Sequence, residues 1–327
     1  MIKIDSYLER IVTTHLHRTT DMATEVDCTR RFPDFFVIGA AKSGTTTLHE
    51  YLARHPDLWM SADKEPCFFD PNVAAELRDP ETYHGLFSGA REDQLCAESS
   101  TNYAMWPLVP NVPRSIARVN PDARFIYLLR DPLRRCYSHF MHRHEREVLR
   151  DQPYRMTFEE YLNFDPIIAD ASDYAAQIRR YLEYFPKQSL LLLSFERFVK
   201  DPVSTLKQVF DFLGVDDRSE EDGGEPLHSN NTDAFKSIMM RSYTMAPLRR
   251  IPGLRAVYER MPSNFRAASI SLIQKSPLGR RARRRLTPPP ILPETRKRLQ
   301  ERFDASTAYL EAEFGFDASC WSSDAQG

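Results

Sequence analysis

The chemistry most clearly written in this chain surrounds Lys42. Phe35, Phe36, Val37 and Ile38 form a short apolar run that stops at Gly39. Ala40, Ala41, Lys42, Ser43 and Gly44 follow, and Thr45, Thr46 and Thr47 then open a helical pattern. A strand, a small-residue loop and a helix start make an anion cradle. The free N–H groups of such a loop and the positive end of the helix both favour negative charge. Lys42 adds a full positive charge, and Ser43 and Thr45 to Thr47 add hydroxyl donors. Gly39 and Gly44 let the backbone bend sharply and approach a ligand closely. The pattern predicts a site for a 5′-phosphate-type group of a nucleotide. A glycine turn capped by threonine, with no ligand, is the structural alternative.

The spacing restricts the nucleotide. A Walker loop carries its lysine directly after the second glycine. Here Thr45 and Thr46 follow Gly44, and the lysine comes earlier. The loop also lacks the G-x-G-x-x-G of a dinucleotide fold. It resembles instead the 5′-phosphosulfate-binding loop of the sulfotransferases, G-x-x-K-[SG]-G-T-[TSR]. Those enzymes use 3′-phosphoadenosine 5′-phosphosulfate (PAPS), so the resemblance implies PAPS as co-substrate.

A second segment points the same way. Residues 124–130 are mostly apolar and read as a buried parallel strand. The run ends at Arg130, Asp131 and Pro132, and Pro132 suits the first turn of a following helix. Arg130 at the strand end and Ser138 eight residues later can converge on a second phosphate. Sulfotransferases hold the 3′-phosphate of PAPS with an arginine and a serine at this spacing, so the resemblance implies that role for Arg130 and Ser138. An Arg130–Asp131 pair with Ser138 facing solvent is the alternative. Two later pieces fit the same family but mostly describe packing. One is the strand and turn at 190–198 with its helix to Gly214. The other is the closing helix with Leu299, Phe303, Leu310 and Gly315, followed by Trp321.

Sulfuryl transfer to a hydroxyl needs a base. Glu65, within Lys64-Glu65-Pro66-Cys67-Phe68-Phe69-Asp70, is the candidate. Aromatic neighbours there could exclude water and raise a carboxylate pKa. Heparan-sulfate-type sulfotransferases carry an E-x-x-F-F segment at this point, and the resemblance makes its glutamate, Glu65, the base. Lys42 is the candidate for the oxygen that leaves with adenosine 3′,5′-bisphosphate, by analogy with phosphoryl transfer. Cys67 stands where one branch has histidine, and Ser99 where that branch often has a lysine. A heparan acceptor is therefore open to question. A surface ion pair with Lys64 is the alternative for Glu65. Glu98 is a rival base, and His49 and His55 are weaker ones.

These residues require a scaffold. Strands alternating with helices predict an α/β fold, a P-loop-like parallel β-sheet flanked by helices. In such sheets ligands bind at the carboxyl ends of the strands, where Lys42 and Arg130 fall. Residues 34–55 are expected to hold strand, loop and helix, and 56–92 to be irregular. A strand is expected near 94–98, strand and helix at 124–149, helices at 157–185 and a strand at 190. The expected organisation is an N-terminal arm at 1–31 and a single sulfotransferase-like domain at 32–327. A basic helical or loop insertion interrupts it at about 230–290.

Composition sets the remaining bounds. At 327 residues the chain can bury a large core. No run approaches the ~18 apolar residues of a membrane span, and 1–31 has no signal-peptide core. Five scattered cysteines, never in CxxC spacing, argue against a zinc site or disulfide framework and fit a reducing cytoplasm. No metal motif appears. The net charge of −2 conceals an asymmetry, because residues 236–285 carry thirteen Lys/Arg and one acid. That segment reads as a neutralising surface, a lid over the co-substrate, or a contact with the acceptor or the inner face of a membrane. No nucleic-acid motif accompanies it. The expected partner is a carbohydrate, lipid or small-molecule acceptor. An ATP-dependent kinase or NTPase, and a non-catalytic nucleotide- or membrane-binding protein, are the competing classes.

Overall fold

A computed structural model describes residues 31–149, 156–223 and 290–322. The N-terminal arm and the basic segment 236–285 lie outside the described residues. Five parallel strands form one sheet in the order β2-β3-β1-β4-β5. They are β1 (Phe35–Gly39), β2 (Leu58–Met60), β3 (Leu95–Ser99), β4 (Arg124–Leu129) and β5 (Leu190–Ser194). The chain is therefore an α/β protein with a parallel sheet flanked by helices, as expected from the sequence. β1 is central, with β3 on one side and β4 on the other. That reversal of strand order opens the crevice in which open α/β sheets bind ligands.

Both faces of the sheet are covered, which explains the unbroken apolar runs of β1 and β4. Side chains alternate across a strand. Phe35, Val37, Ile126, Leu128 and Leu193 share one core with Leu48 and Leu52 of α1 (Thr45–Leu52). On the other face Phe36 stacks on Phe125, whose ring meets Tyr181 and Phe185. Short helices α2 (Pro80–Gly85) and α3 (Val112–Val119) flank β3 in sequence. Proline in the first turn of each suits a position whose N–H needs no partner.

β4 runs into α4 (Pro132–Leu149), and α5 (Phe158–Phe164), α6 (Ile167–Asp170) and α7 (Tyr174–Leu182) follow. After β5 come α8 (Phe195–Lys200), α9 (Pro202–Leu213) and α10 (Ser219–Gly223). α9 ends at Gly214, whose φ of 71° is the left-handed conformation that terminates helices cheaply in glycine. Past the undescribed segment, α11 (Pro293–Phe314) places Leu299 and Phe303 in a second core with Phe140 and Phe158. This clamps α4, the helix that follows Arg130. The short α12 (Ser319–Ser322) completes the described chain.

The region 56–92 is less irregular than expected, since it contains edge strand β2 and helix α2. A three-residue strand offers no readable alternation. Its register is set by pairing with β3, Leu58 opposite Leu95 and Met60 opposite Ala97.

Candidate active site

β1 delivers the loop 40–44 to the centre of the sheet's carboxyl edge. The pairing of β1 with β4 is irregular between Val37 and Gly39, and Ala40 then donates to the Leu128 carbonyl at 2.8 Å. Such an irregularity re-aims a strand end beside a site. Two glycines are required by what surrounds them. A Cβ on Gly39 would lie 3.0 Å from the Tyr127 ring, and one on Gly44 would lie 2.9 Å from the Phe195 ring. Gly44 also has φ 81°, which disfavours any side chain.

Two arginines fix the outer side of this loop. Arg130 Nη1 donates to the Lys42 carbonyl at 3.1 Å, and Arg135 Nε donates to the Ala41 carbonyl at 3.1 Å. A trans peptide holds N–H opposite C=O, so the Arg135 bond turns the Lys42 N–H the other way. Lys42 itself sits at φ 72°. Ser43 is fully buried, and its Oγ has no hydrogen-bond partner. A buried, unpaired hydroxyl costs free energy unless something completes it. Gly44 precedes α1 and offers it no side-chain cap, and the first turn carries no acid. Its N-terminal N–H groups and the half-buried Thr46 and Thr47 therefore favour an anion there. Thr45 is buried behind them. The residues present fit a phosphate- or sulfate-bearing group.

Arg130 belongs to the same pocket. Its guanidinium lies 5.0 Å from the Phe195 ring centre, the same ring that closes on Gly44. Burial lowers its pKa, with Glu196 and Asp131 opposing. Asp131 is not simply a partner of Arg130. Its carboxylate accepts the Arg134 N–H at 2.7 Å and so caps α4. Ser138 lies half-buried on the second turn of α4.

Glu65 sits at the carboxyl end of β3. Its N–H donates to the Ser99 carbonyl at 2.9 Å, and its Oε1 accepts from Thr101 Oγ1 at 2.9 Å and Lys64 Nζ at 3.0 Å. The Glu65 side chain is 45% exposed. The expectation that aromatics shield it from water fails. Phe68 and Phe69 turn into the core, where they pack on each other and on Tyr83. Glu65 and Cys67 both have positive φ, 63° and 55°. Non-glycine residues in that region cost about 1–3 kcal/mol each and persist only where neighbours hold them.

The rival bases are placed otherwise. Glu98 is fully buried and accepts from Tyr83 Oη at 2.6 Å, Tyr103 Oη at 2.9 Å and Ser100 Oγ at 2.6 Å. Desolvation raises its pKa to about 7, against the pull of those hydroxyls. It cannot reach an external acceptor. His49 shares a 2.8 Å hydrogen bond with Ser99 Oγ, and burial plus the nearby Lys64 charge lower its pKa to about 4. His55 is buried and bonds the Asp216 carbonyl.

Comparison with known proteins decides the family. The family model described as "Sulfotransferase domain" matches residues 32–247, well over half of the chain. The chain belongs to the sulfotransferase family. Mouse heparan sulfate glucosamine 3-O-sulfotransferase 6 is 30% identical over 194 residues, which cover 57% of this chain and 53% of that protein. Mouse heparan sulfate glucosamine 3-O-sulfotransferase 3A1 is 31% identical over 195 residues, 57% of this chain and 47% of that one. The chain thus spans about half the length of the curated relatives it matches. A sulfotransferase structure from Alicyclobacillus acidocaldarius superposes with TM-score 0.57 at 24% identity, covering 89% of this chain and 99% of that one. It supports the fold.

Within this site, sequence reasoning missed two supporting residues. Arg135 is fully buried, and besides Ala41 it bonds the Ile168 carbonyl at 3.1 Å and Ser172 Oγ at 3.0 Å. Glu196 accepts from the Asp131 N–H at 3.0 Å and from Trp321 Nε1 at 2.9 Å, tying α12 to the Arg130 turn. An arginine inside a helix that ought to be amphipathic was the available signal for the first. Glu196 lies in the strand-and-turn segment 190–198 that resembles the family, a signal that was read as packing. Among the described residues no cluster of His, Cys, Asp and Glu could hold a metal ion. No helix among them is long and apolar enough to cross a membrane.

Proposed function

We propose that this chain transfers a sulfuryl group from PAPS to a hydroxyl of a carbohydrate acceptor. The observation that carries the reading is the Arg130–Lys42 contact, which joins the two cationic segments on one pocket. PAPS, when bound, supplies a sulfuryl group on an anionic nucleotide leaving group. Ser43, Gly44 and Thr45 to Thr47 hold its 5′ end through the loop, the helix start and the orphaned Ser43 hydroxyl. Lys42 places its ammonium there and stabilises charge as it develops. Arg130 and Ser138 hold the 3′-phosphate.

Glu65 takes the acceptor proton. Its Oε1 is held by Lys64 and Thr101, while Oε2 makes no hydrogen bond among the described residues. A fixed carboxylate with one open oxygen at an accessible edge suits a general base. The carbohydrate class rests on the relatives, whose names state heparan sulfate as their substrate. Heparan itself is less supported. Ser99, at the position where a lysine could meet an anionic chain, turns inward to His49.

The test has two arms. Isothermal titration should show binding of adenosine 3′,5′-bisphosphate without magnesium and no comparable binding of ATP–Mg²⁺. A labelled-sulfate transfer assay against a panel of oligosaccharides and lipids should then yield a sulfated product. Preference for ATP–Mg²⁺ would support a kinase instead. Binding without any transfer would leave a non-catalytic nucleotide-binding protein.

A further inference from the structure

The Glu98 carboxylate lies on the aromatic face of the sheet, opposite Phe36 in the strand register, where solvent cannot compensate its charge. Its hydroxyl partners also face elsewhere. Ser100 Oγ accepts the Cys67 N–H at 3.1 Å, and Tyr103 Oη accepts the Phe69 N–H at 3.1 Å. These two amides belong to the turn that follows Glu65 and contains its left-handed residues.

A hydroxyl has one proton and two lone pairs, and an ionised carboxylate only accepts. While Glu98 is charged, Ser100 and Tyr103 must both aim their protons at it. Their lone pairs are then left for the two turn amides. We propose that Glu98 is a positioning residue for the acceptor base. Its carboxylate sets the hydroxyl protons of Ser100 and Tyr103, and these hold the 65–69 turn so that Glu65 stays on the Thr101 hydroxyl. The assignment rests on the reading of Glu65 as base.

The two carboxylate oxygens are not equivalent. Oε1 receives both tyrosine hydroxyls, while Oε2 receives only Ser100. Protonation therefore falls on Oε2. Ser100 must then accept from the acid and also serve the Cys67 amide, while its own proton loses its acceptor. The Cys67 end of the turn loosens first. The raised pKa of Glu98, about 7, places this change near neutrality. The groups facing it do not titrate there. Tyr83, Tyr103 and Tyr181 are held well above the usual tyrosine range, chiefly by burial. Burial, with Glu65 adding, pushes the Cys67 thiol up to about 12. Asp70, further along the turn, is raised by burial but is not a Glu98 hydrogen-bond partner.

The experiment compares wild type with Glu98→Gln at the same pH. Hydrogen exchange of the Cys67 amide should accelerate by about 10-fold or more, the loss of one hydrogen bond, and by more than that of Phe69, whose partner Tyr103 keeps an acceptor oxygen. kcat should fall by about 10- to 100-fold, the usual effect of misplacing a reacting group slightly. Affinity for adenosine 3′,5′-bisphosphate should not change. The wild-type kcat should decline as pH falls through about 7, and Glu98→Gln should lack that limb. Unchanged amide exchange in Glu98→Gln overturns the proposal, as does an unchanged pH profile. Should Glu98→Gln not fold, Ser100→Ala removes the Ser100 arm, its bond to Glu98 and its bond from the Cys67 amide, and leaves the Tyr103 arm in place. It must speed exchange at Cys67 more than at Phe69, and equal protection overturns the proposal. Exchange needs no acceptor. If wild type transfers no sulfate while Glu98→Gln still frees the amides, the hydroxyl relay stands and the sulfotransferase reading falls.

Discussion

The Arg130 guanidinium donates to the main-chain carbonyl of Lys42 at 3.1 Å, across 88 residues of sequence. The end of β4 and the loop after β1 are thus parts of one wall. Arg130 holds the loop, and in the proposed function it also presents its charge to the nucleotide. Arg130→Ala should weaken binding of adenosine 3′,5′-bisphosphate by about 1.5–3 kcal/mol, the range for hydrogen bonds to charged groups. Arg130→Lys should not restore it, because an ammonium lacks the planar fork that can bond a carbonyl and a phosphate together. Titration calorimetry on the three proteins decides this. Full affinity in Arg130→Ala would move the 3′-phosphate elsewhere.

Lys42→Ala leaves the main-chain carbonyl and its Arg130 bond in place. Nucleotide binding should therefore weaken less than in Arg130→Ala, while transfer should be abolished. The split between binding and turnover is the diagnostic, since an interaction made mainly in the transition state lowers kcat. Single-turnover measurement of labelled-sulfate transfer checks it. Normal turnover would remove Lys42 from the chemistry.

Gly44→Ala tests the cradle from its backbone. The added Cβ would sit 2.9 Å from the Phe195 ring in a residue at φ 81°. Strain of about 1–3 kcal/mol is expected, relieved by pushing Phe195 away. Phe195 also lies against Arg130. The variant should lose both thermal stability and nucleotide affinity, measured by calorimetry of the free and bound protein. A loss of stability alone would show that Phe195 can move without disturbing Arg130.

Much of this pocket was legible in the sequence because it is local. Lys42, Ser43 and Thr45 to Thr47 follow a strand and open a helix within a dozen residues, and Arg130 ends an apolar run. Turn chemistry and strand ends are properties a short window contains. The parts that were not legible act across long separations. Arg135 reaches Ala41 from α4, Phe195 covers Gly44 from the start of α8, and Trp321 reaches Glu196 from α12. The aromatics after Glu65 were misread for a related reason. Phe68 and Phe69 are near Glu65 in sequence, but the left-handed turn between them sends the rings inward and the carboxylate outward. Nothing in residue type announces that reversal.

Glu65→Gln should leave adenosine 3′,5′-bisphosphate binding intact and lower kcat by about 10²–10⁴-fold, the usual contribution of a general base. The amide can still accept from Thr101 and Lys64, so the turn should keep its shape. Steady-state kinetics with saturating PAPS makes the comparison. A fully active Glu65→Gln enzyme would place the base on another group of the same edge.

Stability against pH should reveal two opposed buried groups. Glu98 titrates near 7 in the fold against 4.5 ordinarily, so the folded state holds a proton the unfolded state releases. Its contribution is fully present below 4.5 and is lost as pH rises through about 7, at most ~3 kcal/mol. His49 titrates near 4 in the fold against 6.5, so the unfolded state holds the extra proton. Its contribution is present above 6.5 and is lost as pH falls through about 4, by a similar amount. The two slopes cancel between about 4.5 and 6.5. Wild-type urea midpoints should therefore change little from these groups across that window. Glu98→Gln removes one slope, and its midpoint should rise with pH from 4 to 6.5. His49→Gln removes the other, and its midpoint should fall from 4.5 to 7. Parallel profiles for all three proteins would show that neither group titrates as its burial requires.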